Sequence, residues 1–330
     1  MITKIMYPVK ERKLSIELVK FIAVITVANH WMAPLYGKWE ILATGGAIGD
    51  VLFFFASGYT LFLGRMGRFD NWYKRRIRRI SPSVIAFTLI LSFFSIRQLT
   101  LYQVALGGDW WFIHCIFIYY FILYFVRKYA EDKSICSFTI VVVVIIIWYL
   151  FEDSSSLFMY GETYFKWIHY FLFMILGAYL GNNTIRLKSN LHTDSIMLLM
   201  FLLLFYGIQY LATRYEIVAH LQIFSLIPLV GLVASIYKLC CSSFIENILR
   251  TKIGKGMRFI SGLCLEIYLV QSTIIRFMDG ILTSYFPINL LLAFILIVLL
   301  AYVTRCLART ILQIFDKDEL NWAAVFRCID

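Results

Sequence analysis

Lys20-Phe-Ile-Ala-Val-Ile-Thr-Val-Ala-Asn29-His30-Trp31 is the stretch whose reading decides the class of this chain. It is apolar enough to enter a bilayer, yet it carries a lysine near one end and an Asn-His pair near the other. Ionisable residues within a membrane span are costly and tend to face a cavity or a functional site. A plainer reading competes with this one. Lys20 could extend to the cytoplasmic surface while His30 sits at the far interface as a solvated tip. The helix alone does not choose between them.

Composition settles the environment. Of 330 residues, 61% are hydrophobic and 15% charged, with a mean hydropathy of +0.78. A soluble domain is about half apolar and about a quarter charged. Here apolar runs of about twenty residues, each able to cross a hydrocarbon core as a helix, recur along nearly the whole chain. No long polar tract remains for a separate soluble domain, so the fold class is all-α integral membrane. The seven cysteines show no CxxC spacing and read as small hydrophobes rather than as metal ligands or a disulfide framework. The basic N-terminal segment and the apolar run after it resemble a signal sequence. No small-residue cleavage site follows, so it reads as a retained first helix.

The pattern predicts about ten transmembrane helices, at 14–35, 45–64, 82–100, 110–127, 135–151, 164–181, 194–213, 217–238, 260–279 and 288–308. Lysine and arginine orient them, because cytoplasmic loops are enriched in both. With the N-terminus inside and Lys20 set aside, the inner segments hold 25 cations and the outer ones five: Lys38, Arg97, Lys166, Arg214 and Arg276. Both termini are therefore expected in the cytoplasm. Residues 1–309 form the transmembrane domain, and 310–330 a cytoplasmic tail that lies along the surface or hangs free. The net charge of +11 then follows from topology and from contacts with anionic lipid, without nucleic acid.

One inner segment exceeds what topology asks. In Lys74-Arg75-Arg76-Ile77-Arg78-Arg79, five of six residues are cationic, just before Pro82 is expected to open the third helix. The cluster is either a positive-inside signal or an anion site built from guanidinium forks. Gly45-Gly46 and Gly49-Asp50 open the second span and Ser57-Gly58 interrupt it, which permits close backbone approach or local unwinding. Asp109-Trp110-Trp111 stands at the outer end of the fourth span, where Trp usually anchors the interface. Glu266 and Gln271 lie in the ninth span, where a buried Glu needs a partner or must reach the surface.

Alternating the helices sorts polar groups by depth. His30 and Asp50 fall at a similar level in the outer half, with His114, His169 and His220, while the arginine cluster is at the inner face. A lone histidine near an interface is more often a hydrogen-bonded bystander than a catalyst, and His169 and His220 are read that way.

Four segments now resemble a known family, the membrane acyltransferase family 3, which includes O-acyltransferases of bacterial surface glycans. Ser15 to His30 is similar to its basic-residue-to-histidine first helix. Gly49-Asp50-Val-Leu-Phe-Phe-Phe-Ala-Ser57-Gly58 is similar to its G-x-D/x-L-F-F-x-x-S-G pattern. Tyr73 to Pro82 is close to R-x-x-R-I-x-P, and Tyr268-Leu-Val-Gln271 looks like Y-L-x-H. Trp111-Phe112 and Phe171 to Gly177 are weaker echoes. Two departures stand out. Lys20 is one residue closer to His30 than the family spacing, a rotation of about 100° on a helix, and Gln271 replaces a histidine with a group that cannot act as a base.

The resemblance implies acyl transfer from acyl-coenzyme A, a co-substrate rather than a bound cofactor, to a hydroxyl of a surface or lipid-linked glycan. The expected location is the inner (cytoplasmic) membrane, with homo-oligomerisation left open. His30 would be the general base, with Asp50 orienting it or the substrate. Arg76 and Arg79, with Arg75 and Arg78, would hold the coenzyme phosphates. Lys20, Asn29, Ser57, Trp111, His114, Glu266, Tyr268 and Gln271 are candidates for substrate contact or support, Ser57 also as a nucleophile. The rivals are a transporter or flippase, in which Lys20, His30 and Glu266 line a substrate or proton path, and a lipid-linked-sugar transferase or polymerase. The absence of an inverted repeat and the short outer loops argue against them.

Overall fold

The computed structural model describes residues 14–64, 66–94, 111–152, 159–161, 163–182, 189–279, 285–316 and 320–327. Asp109 and Trp110 lie outside the described residues, as do Arg65 and Arg97. No strand occurs among the described residues. The helices are α1 (Leu14–Trp31), α2 (Gly46–Leu63), α3 (Phe69–Phe93), α4 (Trp111–Ala130), α5 (Ser134–Phe151), α6 (Phe165–Asn182) and α7 (Leu191–Ala212). They continue with α8 (Glu216–His220), α9 (Leu226–Cys240), α10 (Ser243–Leu249), α11 (Lys252–Gly262), α12 (Cys264–Met278), α13 (Ile288–Asp316) and α14 (Trp322–Val325).

Helix therefore stands at each of the ten expected stretches. Among the described residues, however, six helices are long and apolar enough to cross a membrane, or up to seven if α11 and α12 form one broken span. The apolar stretches Ile135–Phe151 of α5 and Phe165–Gly181 of α6 fall just short of that length, and α3 carries the whole cationic cluster in its first half.

Three boundaries differ from the sequence reading. The cationic cluster is not a loop, and Pro82 opens no helix, because α3 runs unbroken through both. Lysine and arginine are good helix formers, and Asp70 in the first turn complements the helix dipole. The ninth stretch is bent by 73° between α11 and α12. The Gly262 carbonyl at this bend accepts from the Arg305 guanidinium, so a backbone group freed by the break remains bonded. The eighth stretch is also broken, with α8 and a short 3-10 turn at Gln222–Ser225 preceding α9.

The centre is built on α1, α2 and α6. Lipid tails are as apolar as leucine, so membrane helices associate through close packing rather than hydrophobic exclusion. Small residues are therefore expected at the tightest contacts. A Cβ placed on Gly58 would lie 1.9 Å from the Met174 carbonyl oxygen, and one on Gly177 would lie 2.0 Å from that of Phe55. Gly58 is thus a packing notch in a continuous helix and does not unwind it. α1 packs against α2 on one side and against α9, α11 and α12 on others, while α13 closes the bundle against α3 and α12. After Asp316 the chain turns back, and Tyr302 and Arg309 donate to the carbonyls of Phe326 and Val325 at 2.9 and 3.1 Å. The tail is thereby tied to α13.

Candidate active site

Two cavities lie along one face of α1 and α2, and a third, much smaller space, the neck, shares wall residues with each of them. The larger, about 390 Å³, is strongly basic. Lys20, Arg78, Arg79, Arg258, Arg305, Arg309 and Arg327 line it, against a single carboxylate, Glu266. The second, about 300 Å³, is an aromatic chamber lined by His30, Trp31, Trp111, Tyr160, Tyr170, Phe205, Tyr206 and Tyr268, with Asp50, Lys166 and Gln209 as further polar groups. The neck, about 10 Å³, is formed by Ala23, Val24, Val27, Asp50, Phe53, Cys264, Ile267, Tyr268 and Gln271.

Helical periodicity explains how three elements line all three spaces. On α1, Lys20 faces the basic cavity, Ala23, Val24 and Val27 the neck, and His30 the chamber. On α2, Asp50 borders chamber and neck, Phe53 borders neck and basic cavity, and Ser57 and Thr60 lie in the basic cavity. On α12, Cys264 borders basic cavity and neck, Gln271 the neck, and Tyr268 neck and chamber. The shortened spacing of Lys20 to His30 leaves both on this face.

In the chamber, His30 is exposed and its ring lies over Gly46, where an added Cβ would come within 2.6 Å of Cδ2. The loop before α2 is held against α1 by Asn29, whose amide donates to the carbonyls of Leu42 and Thr44 at 2.9 and 3.0 Å and whose oxygen accepts from the Tyr36 hydroxyl at 2.5 Å. Asn29 thus shapes the wall beside His30. Gly45, at φ 101°, makes the turn into α2.

The polar groups facing Asp50 are the Lys166 ammonium and the Tyr170 hydroxyl. No hydrogen bond joins Asp50 to His30 among the described residues. Lys166 is buried, and its ammonium sits 4.4 Å from the Trp111 ring centre. Trp111 in turn stacks on Tyr170 and forms part of the chamber wall.

Lys166, Tyr160, Tyr170 and Gln209 were missed by the sequence reading, which counted Lys166 as an outer-loop charge. A lysine and a histidine one helical turn apart in an apolar run, Lys166 and His169, were the available signal. His169 is fully buried, without a hydrogen-bond partner for either ring nitrogen, and packs 4.1 Å from the Tyr170 ring. It backs the chamber. His114 is half-buried on α4 and lines none of these three spaces. His220 is exposed at the end of α8.

In the basic cavity, Lys20 pairs with the buried Glu17 at 3.3 Å, which also accepts from Ser261. Glu266 accepts from both Arg305 Nε and Nη2 at 2.7 Å and from Ser83 at 2.5 Å. It is a structural counter-ion. Of the four cluster arginines, the cavity takes Arg78 and Arg79. Arg78 pairs with Asp316. Arg75 donates to the Met66 carbonyl at 2.9 Å, and Arg76 stacks on Trp72 at 5.1 Å. Arg79 and Arg258 have no carboxylate partner among the described residues. Ser57 also lies here, beside the Tyr120 hydroxyl, on the far side of Phe53 from His30.

A family model described as an acyltransferase domain matches residues 13–306. The chain belongs to acyltransferase family 3. That match runs from the start of α1 into α13, so it contains both cavities and the neck, apart from the Arg309 and Arg327 edge of the basic one. No curated protein and no solved structure matches the chain. As an acyltransferase 3 chain with several membrane-length apolar helices, it is a multi-pass membrane acyltransferase.

Proposed function

We propose that this acyltransferase moves an acyl group, most simply acetyl, from coenzyme A to a hydroxyl of a surface or lipid-linked glycan at the inner membrane. The observation that carries this reading is the pairing of two unlike cavities on one helical face. The basic one suits the phosphates of the coenzyme, since guanidinium forks and an ammonium favour them. The aromatic one suits a sugar, whose ring packs on Trp and Tyr faces while its hydroxyls meet a few fixed polar groups. The neck would pass the pantetheine arm and bring the thioester to the chamber.

In the chemical step, a His30 imidazole nitrogen takes the proton from the acceptor hydroxyl as its oxygen attacks the thioester carbonyl. The tetrahedral intermediate collapses, the C–S bond breaks, and the departing thiolate takes the proton back from His30. The Lys166 ammonium, on the wall with Asp50, is the donor for the developing oxyanion, while the Tyr170 hydroxyl holds Asp50 in place. Asp50 accepts a sugar hydroxyl and so aligns the acceptor. Direct transfer fits better than an acyl-Ser57 route, because Ser57 lies about two helical turns, roughly 10 Å, from Asp50 along α2 and beside Tyr120 rather than a histidine.

The test is acyl transfer by purified protein in lipid, supplied with radiolabelled acetyl-coenzyme A and glycans from the host surface. Mass spectrometry of glycans from a deletion strain should show loss of one acyl mass. Retention of every acyl group would refute the acceptor assignment.

A further inference from the structure

Gln271 is a buried polar residue that the chemistry above does not use. It is 1% exposed, stands on α12 one turn beyond Tyr268, and lines the neck. Both its amide nitrogen and its amide oxygen lack hydrogen-bond partners. A buried donor or acceptor left unpaired costs about 1–3 kcal/mol, so such a group requires an explanation. Most of its neighbours in the neck, Ala23, Val24, Val27, Phe53 and Ile267, are apolar, and the polar ones, Asp50, Cys264 and Tyr268, make no hydrogen bond to it. The neck also has only about 10 Å³ of free space, so whatever satisfies Gln271 must be slender.

We infer that Gln271 recognises the donor's arm within the neck, its carboxamide pairing with a secondary amide of the pantetheine chain. The chemistry is reciprocal. A primary amide offers one donor and one acceptor, and a secondary amide offers the matching acceptor and donor. A thin chain of methylenes interrupted by amides suits a mostly apolar wall that carries an unpaired carboxamide, with Tyr268 and Asp50 at one end and Cys264 at the other. Phe53, which borders both neck and basic cavity, must turn aside to admit it. Gln271 is therefore a binding residue for the donor and not an acid or a base. The inference rests on the assignment of coenzyme A as donor.

The experiment compares two probes on the full-length protein in nanodiscs by calorimetry. One is coenzyme A, and the other is adenosine 3′-phosphate 5′-diphosphate, which keeps the phosphates and lacks the arm. Gln271→Leu and the unbranched Gln271→Met are made in parallel, so that misfolding of one leaves the other readable. Loss of two neutral hydrogen bonds should weaken coenzyme A binding about tenfold and leave nucleotide binding within about twofold. Unchanged binding of both probes would overturn the role of Gln271 while leaving the donor assignment intact. Equal weakening of both would overturn it too, because the effect would then not belong to the arm. Failure of the wild-type protein to bind either probe would remove the donor assignment itself, and the inference with it.

Discussion

Lys20 and His30 stand at the two ends of one face of α1, Lys20 against the basic cavity and His30 against the aromatic chamber. Ten residues of helix separate them, about 15 Å along the axis. The side chains between them on that face, Ala23, Val24 and Val27, are small and apolar and form one wall of the neck. A single helix therefore spans the distance between a phosphate-attracting end and an imidazole. The rest of the bundle supplies the opposite walls.

Replacing His30 by alanine should abolish acyl transfer, with a loss of about 10²–10⁴-fold, the usual worth of a positioned acid–base group. His30 is exposed, so folding should hold. Elution as a single species in detergent, together with the transfer rate, checks both halves. A variant with wild-type turnover would remove His30 from the mechanism.

The arginines should separate into two classes. Arg79 lines the basic cavity without a carboxylate partner among the described residues, so Arg79→Ala should raise the KM for acyl-coenzyme A about tenfold, the loss of one charge-assisted contact. Arg75 does not line the cavity and is bonded to the Met66 carbonyl, and Arg75→Ala should leave KM within about twofold. Equal effects at the two positions would mean that the cluster acts through charge or topology alone.

Glu266 and Arg305 make a different prediction. Removing one partner of a buried pair leaves an uncompensated charge, at a cost of about 3–5 kcal/mol. Glu266→Ala should therefore lower the melting temperature sharply, and Ser83 would lose its acceptor as well. Replacing both partners with methionine should recover only part of the stability, since paired apolar substitution is often neutral but the Gly262 carbonyl then loses its Arg305 donor. A Glu266→Ala protein of wild-type melting temperature but no activity would instead make Glu266 a participant in catalysis.

Hydropathy exposed the helices because apolar runs of membrane length have few other uses. It also brought His30 and Asp50 to one depth, and they line one chamber. It failed where a helix is not uniformly apolar. The cationic half of α3 reads as a loop by charge, although lysine and arginine favour helix. The bend before α12 depends on a bond from Arg305, 43 residues away from Gly262, which no local pattern contains. Lys166 was discounted because sequence position placed it near a loop, whereas burial by Trp111 and the Asp50 wall depends on α4 and α2 meeting α6. The basic cavity likewise draws Arg258, Arg305 and Arg327 from remote segments to join Arg78 and Arg79.

The last prediction concerns Gly46, which lies against the imidazole on the chamber wall. A Cβ at this position would fall 2.6 Å from His30 Cδ2 and 2.7 Å from Cγ. The atoms in its way belong to an exposed ring that can rotate, not to backbone. Gly46→Ala should therefore cost little stability while displacing the base from its working position. Misplacement by about 1 Å can cost roughly 10²-fold in rate, so kcat should fall by about 10–100-fold with KM for the thioester nearly unchanged. Gly45→Ala is the contrasting variant. At φ 101° a side chain there strains the backbone, so its main effect should be a destabilisation of about 1 kcal/mol or more. Rates and melting curves for the two variants side by side would separate an effect on His30 from an effect on the turn. If Gly46→Ala melted early and turned over normally per folded molecule, the ring over Gly46 would be a packing contact and not a positioned base.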